Sequence, residues 1–142
     1  MKRQPKMLLF LTTCLVVIFA CKPTPRRVNH ATHITPGMAH NLILQQQNNS
    51  SFKLIDVRTH DEFNVDHITG AINIDWNSQK DILLKLNKND TLLLYCRSGR
   101  RSKLAMDYLK RNGFVDLFQM DGGLIEWQKQ FDSLTPSPLN EK

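Results

Sequence analysis

The chain has 142 residues, of which 41% are hydrophobic, and it carries a formal net charge of +6. That length allows one domain with a real core and is too short for two. Setting aside the basic residues that open the chain, Lys2, Arg3 and Lys6, leaves +3, with no aromatic residues interleaved in a basic stripe; the balance excludes nucleic acid as the partner.

Behind those three charges, residues 7–20 are apolar except at Thr12 and Thr13. Fourteen residues of helix rise about 21 Å, short of the ~30 Å hydrocarbon core of a bilayer. The layout fits a secretory signal better than a membrane span. It ends Ile18-Phe19-Ala20-Cys21, which resembles a bacterial lipobox: an aliphatic residue three before the cysteine and a small one directly before it. Phe19 stands where a small or β-branched residue is usual. Residues 1–20 are therefore expected to be a signal peptide and Cys21 the lipidated residue. The mature chain is expected to be exported to the periplasm or cell envelope and anchored to a membrane by its lipid.

Residues 21–33 contain two prolines, little apolar content and no period, and read as a linker between membrane and domain. His30, His33 and His40 have no cysteine or carboxylate at ligand spacing, so no metal is expected, nor any cofactor.

From residue 34 the chain alternates helix and strand. Thr35-Pro36 is a cap and first-turn proline, followed by Met38, Leu42 and Ile43 at helical spacing. Residues 52–57 form a short apolar run ending in Asp56-Val57-Arg58, a buried strand. Residues 71–74 make a second strand, and Leu83, Leu84 and Leu86 mark a short helix. Residues 91–96 are the clearest strand, bounded by Asn89-Asp90 and by Ser98-Gly99. Leu104, Ala105, Tyr108 and Leu109 form one face of a longer helix that stops at Gly113. Residues 115–120 are the last strand, closed by Asp121-Gly122-Gly123, and Leu124, Trp127 and Phe131 line a final helix. Apolar strands alternating with helices predict an α/β fold, a central parallel sheet with helices on both faces. Such sheets bind ligands beyond the carboxyl ends of their strands, where Cys96 stands. The domain is expected to span residues 34–135, with 136–142 as a C-terminal tail.

Between the clearest strand and the following helix lies Cys96-Arg97-Ser98-Gly99-Arg100-Arg101-Ser102. A strand–loop–helix turn aims successive backbone N–H groups into one concavity, and the helix dipole adds positive potential. Gly99 lets the backbone bend closely, and Arg97, Arg100 and Arg101 add charge. A thiol at that focus loses its proton readily and becomes a nucleophile that also binds oxyanions. A cysteine ending a strand can also be a small buried hydrophobe, but three arginines followed by a helix start do not serve core packing.

This loop resembles the active-site loop of rhodanese-family sulfurtransferases. The resemblance extends to Leu54-Ile55-Asp56-Val57-Arg58, Glu62-Phe63, His67-Ile68-Thr69-Gly70-Ala71-Ile72-Asn73-Ile74, Asp121-Gly122-Gly123 and Trp127, and covers about residues 34–131. Asp66 departs from the glycine frequent before the His-Ile pair; as a turn position, it puts little of the resemblance in doubt. No internal repeat is visible, so the single-domain type is expected. The resemblance implies a three-layer rhodanese-like fold and a double displacement through a persulfide on Cys96. The donor would be thiosulfate or another small anionic sulfur species, and the acceptor an external thiol, of a protein or a small molecule, or cyanide. Loop amides and arginines would hold the donor, making Arg97, Ser98, Gly99, Arg100 and Arg101 the substrate-binding candidates. Asp56, Arg58, Glu62 and His67 are expected to support the site structurally, Arg58 and Glu62 by pairing across the turn after the strand, and Trp127 to be core.

Two rivals remain. A cysteine phosphatase or arsenate reductase is disfavoured because related phosphatases space cysteine and arginine by five residues. Here Ser102 occupies that place and Arg101 comes one too early. The other is a non-enzymatic binding or sulfur-carrier module, many of which lack the cysteine that this chain keeps.

Overall fold

The structure, a computed structural model, describes residues 30–131. The expected signal peptide, Cys21 and the tail from 136 lie outside the described residues.

Five parallel strands form one sheet in the order β1-β5-β4-β2-β3: β1 His30–Ile34, β2 Phe52–Asp56, β3 Ile72–Asn73, β4 Thr91–Tyr95 and β5 Asp116–Met120. The helices between them are α1 Pro36–Gln46, α2 His60–Val65, α3 Trp76–Gln79 running into a 3-10 turn at Lys80–Lys85, α4 Arg100–Arg111 and α5 Gly123–Phe131. The predicted α/β class, a parallel sheet covered on both faces, is what the chain adopts.

The period-two alternation of a strand decides what covers each face. On β4, Leu92 and Leu94 point to one side, and Cys96, one residue past the strand, continues that parity. They pack with Ile55, Val57, Leu83, Ala105, Met106, Leu109 and Leu117, under α4 and the 3-10 turn. Leu93 and Tyr95 point to the other side, against Ile34, Ala39, Leu54, Met120, Leu124 and Trp127, under α1 and α5. Cys96 therefore leaves the carboxyl end of the central strand on the α4 face, 1% exposed.

Helix ends follow their sequence signals. Thr35 caps α1, its hydroxyl accepting from the Met38 N–H, with Pro36 in the first turn. Helix α4 stops at Arg111, two residues before Gly113. Three local readings need correction. Residues 30–33, assigned to the linker, form most of β1, paired with β5 from His30↔Asp116 to Ile34↔Met120. Only Ile34 of this edge strand is buried, so its sequence carries little apolar signal. Leu104, placed on the inner face of α4, is 48% exposed, because Ser102, Ala105, Met106 and Leu109 form that face. Helix α2 went unrecognised: it buries no residue, so it has no apolar stripe. Its sequence signal is Thr59-His60-Asp61-Glu62, a capping box in which the Thr59 hydroxyl accepts from the Glu62 N–H and the Glu62 carboxylate from the Thr59 N–H.

Candidate active site

Cys96 sits where β4 gives way to the loop before α4. The α4 N-cap is Gly99 in the left-handed region, φ 90°, and no side chain caps the helix. Its first turn is thus left open toward the sulfur, and the backbone amides of Ser98, just before the cap, and of Arg101 and Ser102, in the first turn, favour the charged form of Sγ. The Ser102 hydroxyl also reaches it, at 3.7 Å. Burial pushes the Cys96 thiol up, and these donors together outweigh it, so the thiol lies below its ordinary value.

The loop is held open from behind by α5. The Leu124 N–H donates to the Cys96 carbonyl at 2.8 Å and the Ile125 N–H to the Arg97 carbonyl at 3.1 Å. Those two carbonyls are thereby held toward α5. The approach requires Gly123: a Cβ there would lie 2.3 Å from the Cys96 oxygen and 2.7 Å from the Arg97 carbonyl, at φ +60°. These are backbone atoms that cannot turn aside. Gly123→Ala should cost about 1–3 kcal/mol in strain and should also displace the loop. We expect Cys96 alkylation at neutral pH to slow to the rate of an ordinary thiol, read by a timed iodoacetamide reaction.

The three arginines divide. Arg101 turns inward: its guanidinium interacts with Cys96 and is clamped by Glu62, Nη1 to Oε2 at 2.6 Å and Nη2 to Oε1 at 2.7 Å. Arg97 is exposed on the wall of a cavity of about 310 Å³, shared with Glu62, Val65, Asp66, Ile125 and Gln128. Arg100 is exposed to solvent. Ser98 and Gly99 form the turn itself.

The expected Arg58–Glu62 pair does not form. Arg58 is 3% exposed and lies against Asp56, which is fully buried. Its Nε and Nη2 donate to the Asp56 carboxylate at 2.8–3.1 Å, and its backbone N–H adds a bond at 2.9 Å. Nη1 donates to Asp66 at 3.0 Å. Asp66, read as an indifferent turn residue, also accepts from Gln128 of α5 and so ties α2 to the helix behind the loop. Burial alone would lower the Arg58 pKa; the two carboxylates more than reverse that and raise it. Glu62 is free of Arg58 because it serves both the α2 cap and Arg101. The Arg101 guanidinium holds its carboxyl down at about 2. With its folded pKa depressed, the pair's contribution is full above the ordinary carboxylate range and is lost as pH falls from about 4.5 toward 2. His67 stacks on Phe63, centroids 4.0 Å apart, with Nδ1 3.0 Å from the Phe63 carbonyl, which anchors the segment leading to β3. Trp127 is buried among the α1–α5 core residues.

Sequence reasoning missed Ser102, Gly123 and Gln119 as site residues. The first stood one place beyond the last loop arginine and the second in the Asp121-Gly122-Gly123 turn. Gln119 gave only the sign of a polar residue inside an apolar strand. Among the described residues no group of three or more potential metal ligands occurs, and no helix is long and apolar enough to cross a membrane.

The fold and this cysteine loop define an α/β domain of the rhodanese type, and residues 39–130 match the family model described as Rhodanese-like domain. The chain belongs to that family. A rhodanese-like domain protein from Staphylococcus aureus superposes with a TM-score of 0.59 at 30% identity, covering 68% of this chain and 90% of that one. The thiosulfate sulfurtransferase GlpE of Pseudomonas aeruginosa is 29% identical over 94 residues, 66% of this chain and 86% of its own length. The tRNA uridine(34) hydroxylase of Buchnera aphidicola is 30% identical over 105 residues, 70% of this chain. This chain spans only 32% of that hydroxylase, and 20% of an adenylyltransferase and sulfurtransferase from Lodderomyces elongisporus.

Proposed function

We propose that this protein is a thiosulfate- or persulfide-dependent sulfurtransferase, exported and held at a membrane by a lipid on Cys21. The observation that carries the catalytic reading is the placing of Cys96: it stands at the carboxyl end of the central strand, before the uncapped start of α4, with the Ser102 hydroxyl 3.7 Å from Sγ and its thiol held below the ordinary value. The name of the GlpE relative, a thiosulfate sulfurtransferase, supports the same reading.

In the first half-reaction the Cys96 thiolate attacks the outer sulfur of thiosulfate. The Sγ–S bond forms, the S–S bond of the donor breaks, and its electron pair leaves with sulfite. Cys96 is then a persulfide anion, and total charge is unchanged. In the second half-reaction a thiolate or cyanide takes the outer sulfur, and the pair of the Sγ–S bond returns to Cys96. Arg97, exposed on the loop next to Cys96, attracts the dianionic donor, and Arg101 stabilises the departing sulfite. Cys96 is the sole free cysteine among the described residues, with Cys14 and Cys21 on the N-terminal segment. With Cys14 in the signal segment and Cys21 lipidated in this reading, the acceptor thiol comes from another molecule.

Turnover of thiosulfate with cyanide, run beside an aryl phosphate, tests the assignment. Thiosulfate should be consumed and the phosphate left intact, because the loop places Ser102 where a phosphatase has its arginine. Phosphate hydrolysis at a comparable rate would overturn it. The export reading rests on Lys2, Arg3 and Lys6, the apolar run and Cys21. Cys21→Ser should release the protein into the soluble fraction or block its maturation; a variant still membrane-bound with unchanged mass would contradict the lipid anchor.

A further inference from the structure

Behind the reacting cysteine lies a second polar layer that none of this chemistry has used. Gln119, on β5, is 1% exposed. Its Nε2 donates to the Met120 carbonyl at 2.6 Å and to Ser102 Oγ at 3.1 Å, and lies 3.5 Å from the Gly99 carbonyl. Its Oε1 is buried with no hydrogen-bond partner. Ser102 Oγ is 3.0 Å from the Gly99 carbonyl and 3.7 Å from Cys96 Sγ.

We propose that Gln119 is a positioning residue for sulfur transfer, its buried amide fixing the Ser102 hydroxyl as a donor to Cys96 Sγ. A serine hydroxyl has one proton to give and lone pairs to receive. The Met120 and Gly99 carbonyls beside the amide of Gln119 only accept, so its NH2 must face them. Flipping it would set Oε1 against both. In this orientation Ser102 Oγ receives an N–H, and its own proton is directed elsewhere, to the Gly99 carbonyl or to Sγ. The charged thiolate is the stronger acceptor. A flipped amide, or a carboxylate, would instead take that proton from the sulfur. The arrangement leaves Oε1 orphaned, a cost that an apolar side chain of similar size would avoid.

The role matters where charge on Sγ changes. Negative charge leaves Sγ as it attacks the donor and returns when the acceptor takes the outer sulfur. A donor on Sγ makes it a better leaving group in that second step. Arg101, carried by α4 and held by Glu62 from α2, supplies the formal charge at the sulfur. Gln119, reaching in from β5, is neutral and sets only the direction of one proton.

The proposal rests on Cys96 as the nucleophile of the sulfurtransferase reading. Its primary test, the pH dependence of Cys96 alkylation in the full chain, needs no sulfur donor. Gln119→Met should raise the alkylation midpoint by about one pH unit, a tenfold change in proton affinity. It should lower kcat for thiosulfate severalfold with KM little changed. Gln119→Glu, which faces Ser102 with an acceptor and adds negative charge, should raise the midpoint further. Gln119→Asn, too short to reach Ser102, should behave as Gln119→Met and replaces it should the Met variant not fold, as read by circular dichroism. In a Ser102→Ala background Gln119→Met and Gln119→Asn should add no further shift. A folded Gln119→Met or Gln119→Asn variant with an unmoved midpoint would overturn the proposal, as would an equal shift in the Ser102→Ala background. The expected shifts without any thiosulfate turnover would uphold the positioning role and overturn the choice of donor.

Discussion

Cys96→Ala is expected to reduce sulfur transfer to the uncatalysed rate while the domain stays folded. The side chain is small and packs at the end of β4 beside Leu94 and Ala105, so its loss removes one atom from the core. That should cost on the order of 1 kcal/mol, well inside the 5–15 kcal/mol of a typical domain. The chemistry has no substitute, because the sulfane sulfur is carried on Sγ. Cys96→Ser should be equally inactive: it keeps the shape, but an alcohol is not ionised near neutral pH and holds no sulfane sulfur. The arginines should then grade by geometry. Arg101→Ala removes the guanidinium beside the sulfur and should raise the thiol midpoint. Arg97→Ala should raise KM for thiosulfate, an effect that shrinks at high salt because exposed charge is screened. Arg100→Ala should change little. Steady-state kinetics at two ionic strengths separates the three.

Arg58→Met is expected to be the most damaging substitution to stability. Asp56 is fully buried, and Arg58 covers its carboxylate with side-chain and backbone donors. Removing the guanidinium leaves an uncompensated buried charge, typically about 3–5 kcal/mol. It also releases Asp66 from Arg58, loosening the tie from α2 to α5. For a domain of this size the melting temperature should fall by more than about 10 °C, read by thermal circular dichroism. Adding Asp56→Leu to Arg58→Met should recover part of the loss, since the orphaned charge is then gone. A double variant no more stable than Arg58→Met would show that the damage lies in the Asp66 link instead.

What the sequence disclosed and what it hid divide along one physical line. The β4 strand, the Cys96 loop and α4 are contiguous, so strand parity, a glycine bend and clustered arginines could be read together without knowing the fold. Pairing partners could not. Arg58 and Glu62 are four residues apart, yet Arg58 turns back to Asp56 while Glu62 finds Arg101, which is 39 residues away. Local distance favoured the wrong pair because both side chains can reach several partners, and tertiary packing chooses among them. Strand β1 was hidden for another reason: an edge strand with one buried residue has almost no apolar period. Gln119 was hidden by the converse, since its environment is polar chiefly because Ser102 and the Gly99 carbonyl, distant in sequence, meet it there.

The central claim is that Cys96 carries sulfur. Mass spectrometry of the purified protein after exposure to thiosulfate, followed by peptide mapping, tests it most directly. One added sulfur should appear on the peptide containing Cys96, disappear on addition of cyanide, and be absent from Cys96→Ser. An unmodified Cys96 in folded protein after saturating thiosulfate and an organic persulfide would contradict the account and leave a sulfur-independent binding module in its place.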